Sequence, residues 1–297
     1  MNKEIFRGKS AVIDVGSNSV RLMLMADGNV LYKTLLTTRL GEGIAFTPRL
    51  KQEAITRTAA AVGSFLDRAA AEGAACTYVY ATAAVREAEN GADFVSLVQR
   101  LYGVSIDVLS GEEEAETGID GALFCADGAL LDVGGASTEL AVKEGNRIVY
   151  KKSVPLGVVK LKDVCARDRA AILSQCKIHA PLFDDAAEYL ARANSLVAIG
   201  GTATTLAALS KNLTVYDARQ VTGTFISTQK LSSLAQDLLS MPVEEIENLP
   251  CVSPKRADVI GGGAAWLSVL SNRFQKGGVT VSDADNLEGY ARKKGLL

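Results

Sequence analysis

The chain has 297 residues, 48% of them hydrophobic, and a formal net charge of −2. At roughly 150 residues per domain this predicts two domains, each large enough to bury its own core. The near-neutral balance excludes a polyanion binder that works through its overall field, so no nucleic-acid polymer is expected and any anionic ligand must be held by a local site.

The first residues, MNKEIFRGKS, are polar and lack the apolar core of a signal peptide. No uninterrupted apolar run reaches membrane-spanning length, so no membrane partner is expected. Five cysteines (Cys76, Cys125, Cys165, Cys176, Cys251) lie far apart with no CxxC. That pattern suits buried thiols in a reducing, cytoplasmic compartment. The single His179 cannot build a histidine-rich metal site and reads as a helix-surface or core imidazole.

In chain order, Lys9–Asp14, Val20–Met25 and Val30–Thr37 are predicted strands, with Asp27-Gly28-Asn29 as a hairpin turn. A helix is predicted over Gln52–Glu72, stopped by Gly73. A strand at Thr77–Ala81, a helix at Ala92–Leu101, a strand at Ile106–Leu109 and a helix from Gly111 follow. The second half opens with strands at Ala129–Val133, Thr138–Lys143 and Arg147–Val154, turning at Glu144-Gly145-Asn146. Then come a helix over Asp168–Ala193, a strand at Ser195–Ile199, a turn at Gly200-Gly201-Thr202 and a helix to Leu209. Helices over Gln229–Ser240 and Lys255–Leu270, a strand at Val279–Val281 and a last helix from Ala284 close the chain. Hairpins followed by βα units imply α/β architecture, each half a mixed sheet flanked by helices.

The two halves share a sequence. DVGSNSVRLMLMADGNVLYK (Asp14 to Lys33) and DVGGASTELAVKEGNRIVYK (Asp132 to Lys151) align without a gap at an offset of 132 − 14 = 118 residues. Both aspartates end the first strand of their half, where ligands bind in such sheets. Gly16 lets the backbone approach a ligand, and the amides and hydroxyls around Ser17, Asn18 and Ser19 can face phosphate oxygens. Asp14 repels phosphate but can hold a divalent cation that phosphate also binds. Turn-shaping alone would not require the same aspartate again at Asp132, ahead of Gly134, Gly135, Ala136 and Ser137.

Other segments admit two readings each. Gly201 and Thr202 open a helix, which makes either an anion site or simple packing with a capping threonine. Ser110 and Glu113 form a capping box. That box accounts for Glu113 and Glu112 but leaves Glu114, a candidate general base. Arg86 offers a phosphate fork or a surface ion pair with Glu87 or Glu89.

In order, IDVGSNSVRLM (Ile13–Met23), ATAAVREAEN (Ala81–Asn90), LSGEEEA (Leu109–Ala115), LDVGGASTEL (Leu131–Leu140), SVPLGVVKL (Ser153–Leu161) and GGTATTLA (Gly200–Ala207) resemble the exopolyphosphatase and guanosine pentaphosphate phosphohydrolase (Ppx/GppA) family. The resemblance implies two actin-like (ribonuclease H-like) domains with an interdomain cleft. Domain I would span 1–124 and domain II 125–283, with Phe124–Gly128 as hinge and a C-terminal helix over about 284–297 packed back on domain I. It implies hydrolysis of a terminal phosphoanhydride in polyphosphate or, alternatively, in guanosine pentaphosphate, with Mg²⁺ or another divalent cation as cofactor. Glu114 falls on the catalytic glutamate, Arg86 on a phosphate-contacting arginine, Asp14, Asp132 and Glu139 on metal-associated acids. Ser17, Asn18, Ser19, Gly134, Gly135, Ser137, Gly201 and Thr202 fall on phosphate loops.

The chain departs from the family at Ala136, where a third glycine is usual. It departs again at Asn286-Leu287-Glu288-Gly289, where Leu-Arg-Glu-Gly is usual. The resemblance implies a short form without the additional helical domains of longer members, and a homodimer is admitted as a partner. Lys143, Arg147, Lys151, Lys152, Lys160 and Lys162 read as a groove for a polyphosphate chain or as a solvated hairpin. An ATP-dependent kinase or switch using Gly261-Gly262-Gly263-Ala264, and a non-catalytic sensor, stand as competing readings.

Overall fold

The computed structural model describes residues 6–124, 126–145 and 147–297. Cys125 and Asn146 lie outside the described residues, as do the first five.

Among the described residues the strands form two sheets built on one plan. The first has the order β3-β2-β1-β4-β5, with β1 (Lys9–Val15), β2 (Ser19–Ala26), β3 (Asn29–Thr37), β4 (Cys76–Ala81) and β5 (Ile106–Val108). The second contains β6 (Gly128–Val133), β7 (Thr138–Glu144), β8 (Arg147–Val154), β9 (Leu196–Ile199), β10 (Phe225–Ser227) and β11 (Gly278–Val281). Its order is β10-β11-β9-β6-β7-β8. In each, three strands run antiparallel as a meander and parallel strands extend from the first of them. This is the actin-like, ribonuclease H-like arrangement, written twice because the sequence is.

Local chemistry sets the elements. Asp27 and Gly28 both have positive φ (50° and 75°), as a two-residue turn matching the strand twist demands. The helix predicted over Asp168–Ala193 is instead three pieces: Arg169–His179, a 3₁₀ segment Ala180–Ala186 and Ala187–Arg192. Pro181 has no amide hydrogen to continue an α-helix, so the chain tightens there. Among the described residues, four short helices escaped prediction, Ala83–Glu87, Val158–Cys165, Ala218–Val221 and Val243–Glu247, as did β10. The helix Val158–Cys165 is capped by Gly157, where a Cβ would lie 2.5 Å from Gly135 O.

Each sheet buries one face in its own apolar core, around Ile13, Leu22, Ile55 and Phe94 in the first half and Leu131, Leu140, Trp266 and Leu267 in the second. The last helix, Asn286–Lys293, places Leu287, Tyr290 and Ala291 against Val12, Met23, Met25 and Tyr80 of the first sheet. It also lies on the helix Gly111–Ala122 at backbone distance. A Cβ on Gly121 would meet Asp285 O at 1.9 Å, and one on Gly289 would meet Thr117 O at 1.7 Å.

Candidate active site

The two Asp-Gly loops have the same internal bond: Gly16 N donates to Ser19 O and Gly134 N to Ser137 O, both at 3.0 Å. They face each other closely. A Cβ on Gly135 would stand 2.7 Å from Ser17 Cβ, so only glycine fits there. Both loops border a cavity of about 430 Å³. Asp14, Gly16, Ser17, Asn18, Ser19, Glu114, Asp132, Gly134, Gly135, Ser137, Gly201 and Thr202 all line it. Ala136 does not; it is fully buried.

The two loop aspartates differ in their neighbours. β1–β2 register sets Asp14 opposite Arg21, and β6–β7 register sets Asp132 opposite Glu139. Arg21 Nη2 lies 2.6 Å from Asp14 Oδ2, and Arg21 Nη1 lies 2.5 Å from Asp285. Among the described residues no such cation pairs with Asp132. It joins Glu114 and Glu139 in a buried trio that can each offer an oxygen within 4.8 Å of the others. Asp14 is outside that trio.

Local structure aims each member. The capping box forms, with Ser110 and Glu113 exchanging both bonds. Glu112 turns outward to Lys151 at 3.0 Å. One residue further, Glu114 points inward and is 7% exposed. Arg86, on the unforeseen short helix, donates from Nη1 to Glu114 Oε2 at 3.0 Å and to Leu109 O at 2.8 Å. Ser153 Oγ donates to Glu139 Oε1 at 2.6 Å, while Glu139 Oε2 is buried without a partner.

Burial, then the charges of Glu139 and Asp132, hold the Glu114 carboxyl well above its usual range against the pull of Arg86. Burial, then Glu139 and Asp285, push Asp132 up to about 7. Burial also raises Glu139. Three crowded carboxyls with an orphaned oxygen form a hard oxygen set that fits a divalent cation.

Sequence reasoning missed three residues here. Arg256 lines the cavity beside Gly201, whose Cβ would overlap its guanidinium at 1.8 Å from Nη1. Among the described residues no carboxylate pairs with it, and burial, reinforced by the Arg21 charge, lowers it to about 10. Its only sequence signal was a Lys-Arg pair just before a helix. Arg21 was legible from the repeat, since it aligns with Glu139. Asn286, at the start of the last helix, donates from Nδ2 to Asp132 Oδ2 at 2.8 Å.

Other expected sites resolve differently. Thr202 Oγ1 donates to Val133 O at 3.2 Å, tying the Gly200–Ser210 helix to the second loop. Gly261 and Gly263 serve close packing, against Leu239 and Thr202 respectively. The lysines do not make an open groove: Lys151 pairs with Glu112 and Glu116, Lys152 with Asp185, Lys160 with Glu87 and Lys162 with Asp258. Lys143 is buried, donating to Leu123 O and Phe124 O, both at 2.8 Å. Among the described residues, no helix is long and apolar enough to cross a membrane.

Two ribonuclease H-like halves and a cleft lined by Asp14, Glu114, Asp132, Arg21 and Arg256, with Glu139 and Arg86 behind the lining against the acids, define a protein of the actin-like phosphoryl-transfer class. The chain belongs to the Ppx/GppA phosphatase family, which matches residues 18–293 and whose members are phosphoanhydride hydrolases. Exopolyphosphatase 2 of Mycobacterium tuberculosis is 30% identical over 309 residues, covering 95% of this chain and 97% of that protein. The guanosine-5′-triphosphate,3′-diphosphate pyrophosphatase of Vibrio cholerae is 32% identical over 167 residues, 54% of this chain and 34% of that one. The crystal structure of an exopolyphosphatase-like protein superposes with a TM-score of 0.88 at 26% identity, covering 97% and 98% of the two chains.

Proposed function

We propose that the chain releases the terminal phosphate of inorganic polyphosphate by metal-assisted attack of water. The observation that carries this reading is the buried Glu114–Asp132–Glu139 trio, within 4.8 Å, at a cleft shared by two phosphate-type loops. Asp132 and Glu139 would hold Mg²⁺, while Asp14, paired with Arg21, shapes the first loop at the edge of the same cavity. When bound, the ion offsets charge developing on the transferred phosphoryl group.

The chain's own residues do the rest. Glu114 accepts the proton of the attacking water from a fixed position, because Arg86 pins one of its oxygens. Arg256 brings positive charge to the anion, Arg86 acts through its bond to Glu114, and the loop segments Ser17–Ser19 and Gly135–Ser137 orient the anion. Burial and the neighbouring Glu139 and Asp132 raise the Glu114 carboxyl, and Arg86 opposes that shift, which favours its action as a proton acceptor. The two halves, with boundaries near 124 and 283, would close over the substrate and limit the entry of other water.

One observation favours guanosine pentaphosphate as the alternative: part of the cavity wall is apolar, formed by Leu35, Tyr216, Val259 and Ile260. Phosphate release from polyphosphate, guanosine pentaphosphate and ATP, with and without Mg²⁺, tests both. Mg²⁺-dependent release fastest from polyphosphate is expected. Preferential turnover of guanosine pentaphosphate selects the alternative, and no release from any of the three rejects a phosphoanhydride hydrolase.

A further inference from the structure

The first turn of the last helix touches both loops at once. Asp285 takes Arg21 Nη1, whose guanidinium also grips Asp14 of the first loop. The next residue, Asn286, reaches Asp132 of the second loop, 154 positions away in sequence. Both Asn286 and Asp132 are buried, at 4% and 8% exposure, so water does not compete for this bond. The amide nitrogen Nδ2 is the donor, as it must be to the ionised carboxylate that a metal would require.

The surroundings are shaped for it. A Cβ on Gly118 would lie 3.0 Å from Asn286 Oδ1, so the helix beneath leaves room for the amide. On the other side of Asp132, a Cβ on Gly200 would come within 2.7 Å of Oδ1. Gly200 has φ +79°, a conformation that glycine accepts without strain. One carboxylate oxygen is thus tied down and the other stands in space kept clear by a missing side chain.

We infer that Asn286 is a positioning residue for the cation site: it locks Asp132 Oδ2 so that Oδ1 is presented to the metal. The inference rests on the reading of Asp132 as a metal holder. A freely rotating carboxylate would lose side-chain entropy on binding and could turn toward Glu139, where like charges repel. The amide removes both costs in advance. Outer hydrogen-bond partners of ligating carboxylates typically contribute about 10–100-fold in metal affinity. The last helix, anchored on the first sheet through Leu287 and Tyr290, thereby sets a side chain of the second.

The test is Mn²⁺ binding to the purified full chain, followed by electron paramagnetic resonance, for wild type, Asn286→Leu, Asn286→Ala and Asp132→Ala. Leucine approximates the shape of asparagine in a pocket that already contains Leu130 and Ile199. The alanine variant decides if leucine does not fold, as judged by circular dichroism. Expected is roughly a tenfold or greater weakening for the Asn286 variants, together with an activity deficit that shrinks as Mg²⁺ is raised. Wild-type Mn²⁺ affinity in the Asn286 variants, with affinity lost in Asp132→Ala, overturns the inference and leaves the metal reading standing. Unchanged affinity in Asp132→Ala overturns both. A rate deficit that no amount of Mg²⁺ reduces, with normal Mn²⁺ affinity, assigns Asn286 a purely structural role and also overturns the inference.

Discussion

Arg21 and Glu139 occupy the same position in the two copies of the repeat, each directly across the strand pair from its loop aspartate, and they carry opposite charge. In the first copy the arginine neutralises Asp14 and reaches on to Asp285. In the second copy the glutamate adds to the charge of Asp132. One scaffold therefore yields a self-compensated half and a half that is electrostatically incomplete without a cation.

That asymmetry predicts opposite outcomes for two substitutions. Arg21→Gln strands two buried carboxylates, and removing one partner of a buried pair costs about 3–5 kcal/mol, less here because Arg21 is partly exposed. Glu139→Gln removes a repulsion, so it raises the metal-free melting temperature while weakening Mn²⁺ binding. Thermal melts in a chelator, paired with a metal titration, check both. A Glu139→Gln variant that melts lower would contradict the assignment.

Glu114→Gln keeps the shape and removes the base. Turnover falls by about 10²–10⁴-fold, the usual contribution of general base catalysis, with the circular dichroism spectrum retained. Near-normal phosphate release by this variant would remove Glu114 from the mechanism.

The raised carboxyls also predict a pH-dependent stability. Asp132 is pushed up to about 7, with Glu114 and Glu139 shifted the same way. A folded-state pKa above the unfolded value contributes stability that is complete below the unfolded pKa, near 4, and is lost as pH rises through about 7. The metal-free melting temperature is therefore expected to fall from about pH 4 to about pH 7 and to level off above it. Metal binding needs the deprotonated ligands, so the increment given by saturating Mg²⁺ grows over the same window. An increment independent of pH would show that these carboxyls are not the ligands.

Gly201→Ala pushes a methyl group into the guanidinium of Arg256. Moving that arginine weakens substrate binding, so KM rises by roughly tenfold, the equivalent of one charged contact of about 1.5 kcal/mol. Arg256→Met should match it. An unchanged KM in both variants would take Arg256 out of the substrate site.

Lys143 closes the carbonyl end of the helix Gly111–Ala122, donating to Leu123 O and Phe124 O. Lys143→Met takes this donor from Phe124 O, while Leu123 O keeps Ala126 N at 3.2 Å, and costs about 1–3 kcal/mol. Denaturant titration reads this directly, and wild-type stability would refute the role.

The sequence by itself determined the doubled architecture and the paired Asp-Gly loops, and it marked Glu114 as the acid the capping box leaves over; its inward position came from the structure. What the sequence determined follows from short-range pattern: strand alternation, glycine at turns, and a capping box that used up Glu113 and left its neighbour. Family resemblance pointed to the trio's members, but the pairing of Asp14 with Arg21 came only from strand register. Tertiary structure alone decided how charge is compensated. It brought Asp285 and Asn286 from the far end of the chain to the two loop aspartates, and set Arg256 over Gly201. It also paired off the lysines that sequence grouped into a groove. Those contacts join residues tens to hundreds of positions apart, and no local propensity encodes them. They exist because the last helix must bury Leu287 and Tyr290 on the first sheet, and doing so carries its polar first turn into the cleft.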